Sequence, residues 1–258
     1  MPSLVLAGSV ERAVRIAETD NGFPQQLADL PGYTSLKQRR LLHALCDGKS
    51  APAVRYLEIG AFYGASLLSA AYRHLGQFCA VDNDAEGNYS TLVANVAAYS
   101  AKHPEYNNVE IGKADVSDAE GMQWLYTAWG AAPFDVLFFD ANTHTQAQAQ
   151  AMSVLAPMMK HSFVWICDNW NWSRTRWQYR GILKAFHWTE VMAYQLFSRV
   201  DQDINGWGNG WSVAVVEKTS YRETPFYAVT GDGPALWNVK ARRECKLFTI
   251  EDYRQRGL

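Results

Sequence analysis

What this chain has little of narrows it first. It carries no excess of positive charge: 24 Lys and Arg stand against 26 Asp and Glu, a formal net charge of −2. Its basic residues are scattered, with short clusters only at Lys37–Arg40 and Lys240–Arg243 that read as solvated faces. A nucleic-acid partner is therefore not expected. Cysteine is sparse, and Cys46, Cys79, Cys167 and Cys245 are too far apart to form a metal knuckle. Cys79 and Cys167 sit in apolar runs as core residues, which suits a reducing compartment. No apolar run approaches the ~18 residues of a membrane helix. Met1–Ala7 is too short and too uncharged for a secretion signal. The expectation is a cytoplasmic protein with no membrane partner. Also missing are a Gly-x-Ser-x-Gly elbow, a Walker loop and the surroundings of a nucleophilic cysteine. His43, His74, His103, His161 and His187 show no ligand spacing.

What is there is a core and a rhythm. Of 258 residues, 48% are hydrophobic, enough for one full domain with extensions. A helix is expected around Ser9–Glu18, then a Gly/Pro-rich approach, then a second helix opened by Ser35 as cap, with Leu36, Leu41, Leu42, Ala44 and Leu45 as its apolar face. From Val54 onward, strands and helices alternate. Strands are read at Val54–Ile59, Phe78–Val81, Val109–Ile111, Phe134–Phe139 and Phe163–Cys167, with helices at Ala65–His74, Tyr89–Ser100, Ala119–Trp129, Gln146–Met159 and Tyr179–Trp188. Val191–Phe197 and Trp211–Val216 read as a late antiparallel hairpin across a Gly/Asn-rich loop. Nearly continuous apolar runs mean strands covered on both faces. The fold expected is α/β, a Rossmann-like doubly wound sheet of seven mostly parallel strands with an antiparallel edge hairpin. Residues 1–32 form an N-terminal helical extension, 33–218 the main domain, and 219–258 a C-terminal extension acting as lid, strap or dimer arm, with short strands at Phe226–Val229 and Lys246–Ile250. The two extensions are where a homodimer contact is expected.

The richest stretch is Arg55-Tyr56-Leu57-Glu58-Ile59-Gly60-Ala61-Phe62-Tyr63-Gly64-Ala65-Ser66-Leu67. It reads as strand, tight glycine turn, helix, where bare backbone approaches a ligand. In an open parallel sheet ligands sit beyond the carboxyl ends of the strands. Four strands here end on acids, at Glu58, Asp82, Asp140 and Asp168. Acids are costly to bury unpaired, so a polar ligand or an ion is their natural partner. Asp82 lies 22 residues after Gly60, the place from which a carboxylate accepts both hydroxyls of a ribose. The turn reads Glu-x-Gly-x-x-x-Gly and lacks the order of dinucleotide enzymes.

These residues resemble the class I S-adenosylmethionine-dependent methyltransferases over about residues 33–218. Leu57–Gly64 is similar to the first motif of that family, Ala80-Val81-Asp82 to the second and Gly112-Lys113-Ala114-Asp115 to the third. The resemblance implies a cofactor site made of Glu58, Gly60, Ala61, Tyr63, Gly64, Ser66, Asp82, Asn83, Asp115 and Asp140, with S-adenosylmethionine bound there. It implies Asp82 on the ribose, Asp115 near the adenine and Glu58 orienting the turn. A cationic sulfonium suits an acid-lined pocket.

Asp140, Asp168 and Asn169 would meet at adjacent strand ends, as hard donors suited to Mg²⁺. This resembles the catechol and caffeoyl-coenzyme A type O-methyltransferases, in which an Asp and an Asp-Asn pair hold a metal that binds both oxygens of a vicinal diol. Asp140 is then part of the catalytic set. That group carries a Lys three residues after the first Asp, where this chain has Thr143. His144 is the candidate base in its place, its ordinary pKa being suited to the task. Two other readings stand beside these: Thr143 capping the following helix, and Asp168 and Asn169 as a polar floor without metal. Trp170 and Trp172, in the loop after Asn169, and Arg174 beside them read as a flat-walled pocket for a small-molecule acceptor, the arginine suiting a carboxylate or phosphate. The main reading is O-methylation of a small-molecule hydroxyl. Its rivals keep the fold with a hydroxylase-like activity or with cofactor binding alone, or place a nicotinamide oxidoreductase on a related sheet.

Overall fold

A computed structural model describes residues 2–19, 22–47, 53–106, 108–141, 145–200, 202–218, 227–229 and 237–238. Among them one sheet carries the molecule. Its strands are β1 (Val54–Ile59), β2 (Gly76–Asp82), β3 (Val109–Lys113), β4 (Phe134–Phe139), β5 (Met159–Cys167), β6 (Thr189–Leu196), β7 (Trp211–Glu217), β8 (Tyr227–Val229) and β9 (Trp237–Asn238). They lie in the order β3-β2-β1-β4-β5-β7-β6-β8-β9. Strands β1 to β5 are parallel, and β7 runs antiparallel to both β5 and β6. The late hairpin therefore does not simply add to the edge: β7 slots between β5 and β6, and β8 pairs on the far side of β6.

Both faces of the sheet are covered, which is why its strands read as unbroken apolar runs. On one face Tyr56, Phe78, Phe138 and Val164 meet α1 (Pro2–Thr19), α3 (Leu36–Cys46), α4 (Ala65–Ala71) and α5 (Tyr89–Lys102). On the other, Leu57, Leu137 and Trp165 meet α6 (Ala119–Trp129), α7 (Thr145–Met158) and α8 (Ser173–Ala185). The first helix is longer than the periodicity predicts, and its Val10, Ala13 and Ala17 are fully buried in the first core. A four-residue helix, α2 (Gln25–Ala28), occupies the Gly/Pro-rich approach. Helix α8 begins at Ser173, six residues before the predicted start, so Arg174 belongs to a helix and not to the loop. No helix among the described residues is long and apolar enough to cross a membrane.

One local device fixes the approach to the sheet. Ser35 caps α3 through a full capping box: its hydroxyl accepts from the Gln38 N–H at 3.3 Å, and Gln38 Oε1 accepts from the Ser35 N–H at 2.7 Å. Arg39, next along and 5% exposed, donates to the carbonyls of Leu27, Ala28, Leu30 and Thr34 at 2.7 to 3.2 Å. The segment from α2 to α3 is thereby tied down over the carboxyl ends of the strands.

Candidate active site

The turn after β1 is shaped by two glycines with positive φ. Gly60 (φ 91°) passes so close to the end of β4 that a Cβ would run into the Asp140 carbonyl. Gly64 (φ 85°) is the first cap of α4. Between them Phe62 also takes a left-handed φ of 50° and donates its N–H to Asp82 Oδ2 at 2.8 Å. Asp82 Oδ1 accepts from the Asp84 N–H at 2.8 Å and from Asn88 Nδ2 at 3.4 Å. Asp82 is thus held in one orientation at the mouth of β2, with lone pairs left for a ligand.

Glu58 lies under this turn, fully buried. Ser66 and Tyr56 both donate to its carboxyl, the tyrosine at 2.7 Å, so it locks the start of α4 to β1. Burial pushes the Glu58 carboxyl up to about 8, against the opposing pull of the Ser66 and Tyr56 hydrogen bonds. Asp115 stands across the opening. It accepts from the Ser117 hydroxyl and N–H at 2.6 and 2.7 Å and from Asn83 Nδ2 at 3.2 Å. The Ser117 hydroxyl leads in holding its pKa below the usual range.

These elements enclose a cavity of about 390 Å³ whose walls include Gly60, Phe62, Asp82, Asn83, Asn88, Asp115 and Asp140. Tyr33 leans over it, stacked on Phe62 at 4.9 Å. A second cavity of about 150 Å³ adjoins it, sharing Tyr33 and Asp140. Its other walls are Thr34, Gln38, Asp168, Asn169, Gln202, Asn209 and Trp211. Here Trp211 Nε1 donates to Asp168 Oδ1 at 2.6 Å, and Asn209 Nδ2 donates to Asn169 Oδ1 at 3.0 Å. Burial, and then the neighbouring Asp168 carboxyl, hold Asp140 well above the carboxylate range. Burial raises Asp168 as well, but Asp140, the Asn169 N–H and Trp211 all donate to it and offset part of the rise. Burial and mutual crowding thus disfavour full ionisation of the pair.

Residues 57–170, from β1 to just past β5, match the family model of the methyltransferase domain. The match spans less than half of the chain, the part that builds the turn after β1 and the strands β2 to β5. An O-methyltransferase from Bacillus cereus, solved with S-adenosylhomocysteine, shares the fold with a TM-score of 0.56 at 18% identity, over 82% of this chain and all of that one. The O-methyltransferase TomG from Streptomyces achromogenes, involved in tomaymycin synthesis and solved with S-adenosylmethionine, aligns with a TM-score of 0.50 at 20% identity over 83% of this chain and 89% of its own. At these identities the likeness is one of fold. No curated protein matches the sequence.

Within this fold the expected residues divide by place. Gly60, Asp82, Asn83, Asp115 and Asp140 line the larger cavity. Glu58, Ala61, Gly64 and Ser66 lie behind it and shape the turn, all four buried. Tyr63 is half-buried, with its ring against Phe62. Asp140, Asp168 and Asn169 do share one corner, in the smaller cavity. His144 and Thr143 lie outside the described residues, as do the expected strand at Lys246–Ile250 and most of the C-terminal extension.

The residues expected around the acceptor lie apart from the corner at Asp140. Trp170 is 1% exposed and packs edge-on to Tyr179 in the second core, because its N–H pairs with the Gly210 carbonyl and turns the side chain inward. Trp172 precedes α8 with its ring half in solvent. Arg174, carried away by the early start of α8, lines a groove with Trp177, Gly181 and Phe186. None of the three lines the cavity beside Asp140. Its true walls come from the α2–α3 loop and the loop before β7. Ser35 Oγ donates to the Gly206 carbonyl at 2.7 Å, Gln38 Nε2 to the Trp207 carbonyl at 2.9 Å, and Trp207 Nε1 to Glu18 Oε1 at 2.9 Å. Ser35 as the cap of α3 is legible in the sequence; that it and Gln38 also hold a loop some 170 positions away is not.

Proposed function

We propose that this protein is an S-adenosylmethionine-dependent methyltransferase acting on a hydroxyl of a small molecule. The observation that carries this reading is the joining of the two cavities at Asp140 and Tyr33: a nucleoside-sized space framed by Gly60, Asp82 and Asp115 opens into a smaller polar one. The structural neighbours with bound S-adenosylmethionine or its product support the same cofactor here. When bound, that cofactor supplies an electrophilic methyl group on a cationic sulfur. The chain's part is to hold and orient. Asp82 would accept from the ribose hydroxyls, Asp115 and Asn83 would bound the base, and Gly60 would let the ligand approach the backbone. Asp140 stands at the junction, where the charge it shares with Asp168 favours a cationic neighbour. An acceptor hydroxyl held in the smaller cavity would lie beside the bound methyl donor, so proximity and orientation would supply most of the rate.

The donors in the smaller cavity also fit a hard divalent cation. Asp140 and Asp168 are close enough to share a proton, the crowding that a cation relieves, and Asn169 presents its amide oxygen to the same corner. Mg²⁺ there would be held by these three side chains and would ease ionisation of the acceptor hydroxyl. Among the described residues no third His, Cys, Asp or Glu joins them. Thr143, standing where a Lys base was expected, favours one alternative, cofactor binding without methyl transfer.

Isothermal titration with S-adenosylhomocysteine, with and without Mg²⁺, tests the reading. Binding is expected, and Asp82→Ala should weaken it by about tenfold or more, the loss of charged hydrogen bonds worth roughly 1.5–3 kcal/mol. Absence of binding at millimolar ligand would end the proposal. Binding with no product from any hydroxylated acceptor would favour the alternative.

A further inference from the structure

The acceptor cavity has a definite chemistry, and it differs from what the chain's arginines and tryptophans suggest. Resting on the methyltransferase reading, we propose that the acceptor is a small, uncharged polyhydroxy compound of the sugar or cyclitol class. Three observations converge on this.

Volume comes first. The space beside Asp140 is about 150 Å³, the scale of one six-membered ring. Charge comes second. No Lys, Arg or His lies among its described walls, and two carboxyl groups do. An anionic acceptor would meet Asp140 and Asp168 with nothing to pair it, at the full cost of an uncompensated charge. With a divalent cation seated on the two carboxylates the local charges only cancel, so the corner still offers no surplus positive charge for an acid.

The third observation is the kind of surface presented. Gln38 and Asn209 spend their amides on the scaffold: Gln38 on Ser35 and Trp207, Asn209 on Asn169 and the Gln202 N–H. That leaves the Thr34 hydroxyl, Asn169 Nδ2 and the Gln202 amide facing a ligand among the described residues. These are mixed donors and acceptors, the complement of several hydroxyls. Aromatic faces are scarce by comparison. Trp211 is 1% exposed, has its ring against Phe138 and offers the cavity its N–H edge, already given to Asp168. Tyr33 remains as a single exposed platform at the entrance. A flat, apolar ring would leave most of these polar groups without partners.

The test is a calorimetric panel on the full chain saturated with S-adenosylhomocysteine and Mg²⁺. The probes are myo-inositol, methyl α-D-glucopyranoside, catechol and 3,4-dihydroxybenzoate. Saturable binding of at least one of the two polyols is expected, with 3,4-dihydroxybenzoate at least tenfold weaker. Thr34→Val, which keeps the side chain's shape, should weaken the polyol three- to tenfold and leave the affinity for S-adenosylhomocysteine unchanged. The inference is overturned if 3,4-dihydroxybenzoate or catechol binds as tightly as the better polyol, if neither polyol binds, or if Thr34→Val leaves polyol affinity as it was. Failure of S-adenosylhomocysteine itself to bind would overturn the methyl-transfer reading, and this inference with it. Normal binding of that ligand with the wrong acceptor preference would overturn the acceptor class alone.

Discussion

At the scale of single residues, Gly60 and Glu58 show how much backbone and burial decide. Gly60 combines a positive φ with a carbonyl where a Cβ would go, so its requirement is steric twice over. Gly60→Ala should cost about 2–4 kcal/mol, from left-handed strain plus overpacking against β4. Urea unfolding and titration with S-adenosylhomocysteine would both register it; unchanged values in both would refute the close approach. Glu58 makes a pH prediction. Its folded carboxyl titrates near 8 and its usual value is 4.5, so between those limits the folded state keeps a proton that the unfolded chain has lost. Stability is then greatest below about pH 4.5 as far as this group is concerned, and falls as pH rises toward 8. The decline should amount to a few kcal/mol at most, at roughly 1.4 kcal/mol per pH unit of difference. Glu58→Gln can accept from one of Ser66 and Tyr56 through its oxygen and donate its amide to the other hydroxyl, and it should flatten the slope, measured as unfolding midpoints from pH 5 to 9. A variant that keeps the parent's slope would assign the pH dependence elsewhere. Both residues stand out in the sequence because an acid before a glycine turn is a local pattern. The smaller cavity's walls Thr34, Gln202 and Asn209 have no such pattern, since each is an ordinary polar residue in a loop.

At the scale of elements, the bounds of β1, β4 and α6 follow directly from apolar runs and caps, and Asp118 caps α6 as its position suggests. The departures share a cause. Over the early first turns of α8 the polar Thr175, Arg176 and Gln178 are buried while Trp177 faces solvent, a reversal that periodicity cannot read. Arg176 turns inward to donate to the Trp170 and Asn171 carbonyls and serves as a strut. Arg39 does the same for the segment between α2 and α3. Replacing it by Met keeps the packing volume but strands the carbonyls of Leu27, Ala28, Leu30 and Thr34. Some of these can relax toward water, so a loss of about 2–3 kcal/mol is expected rather than the sum. The segment should also become a target for native-state proteolysis, with cleavage near residues 27–34 appearing before global unfolding. If Arg39→Met melts with the parent and resists the protease equally, the strut has no such role.

At the scale of the whole molecule, one sheet serves two cores, and successive residues of a strand belong to different ones: Tyr56 to the first, Leu57 to the second. Neither core can be lost while the other keeps its floor. The first core also includes α1, so the N-terminal helix is part of the same cooperative unit. The larger cavity lies at the ends of β1, β2 and β4, in the centre of that unit, and not at a hinge between separable parts. Ligand binding there should stabilise everything at once. At a hundred times its dissociation constant, S-adenosylhomocysteine would add about 2.7 kcal/mol. For a chain of this size that corresponds to a rise in Tm of roughly 5–10 °C. Differential scanning calorimetry should show one transition, moved as a whole and growing with ligand concentration. Two transitions, only one of which responds to the ligand, would mean that the shared sheet does not couple its two faces.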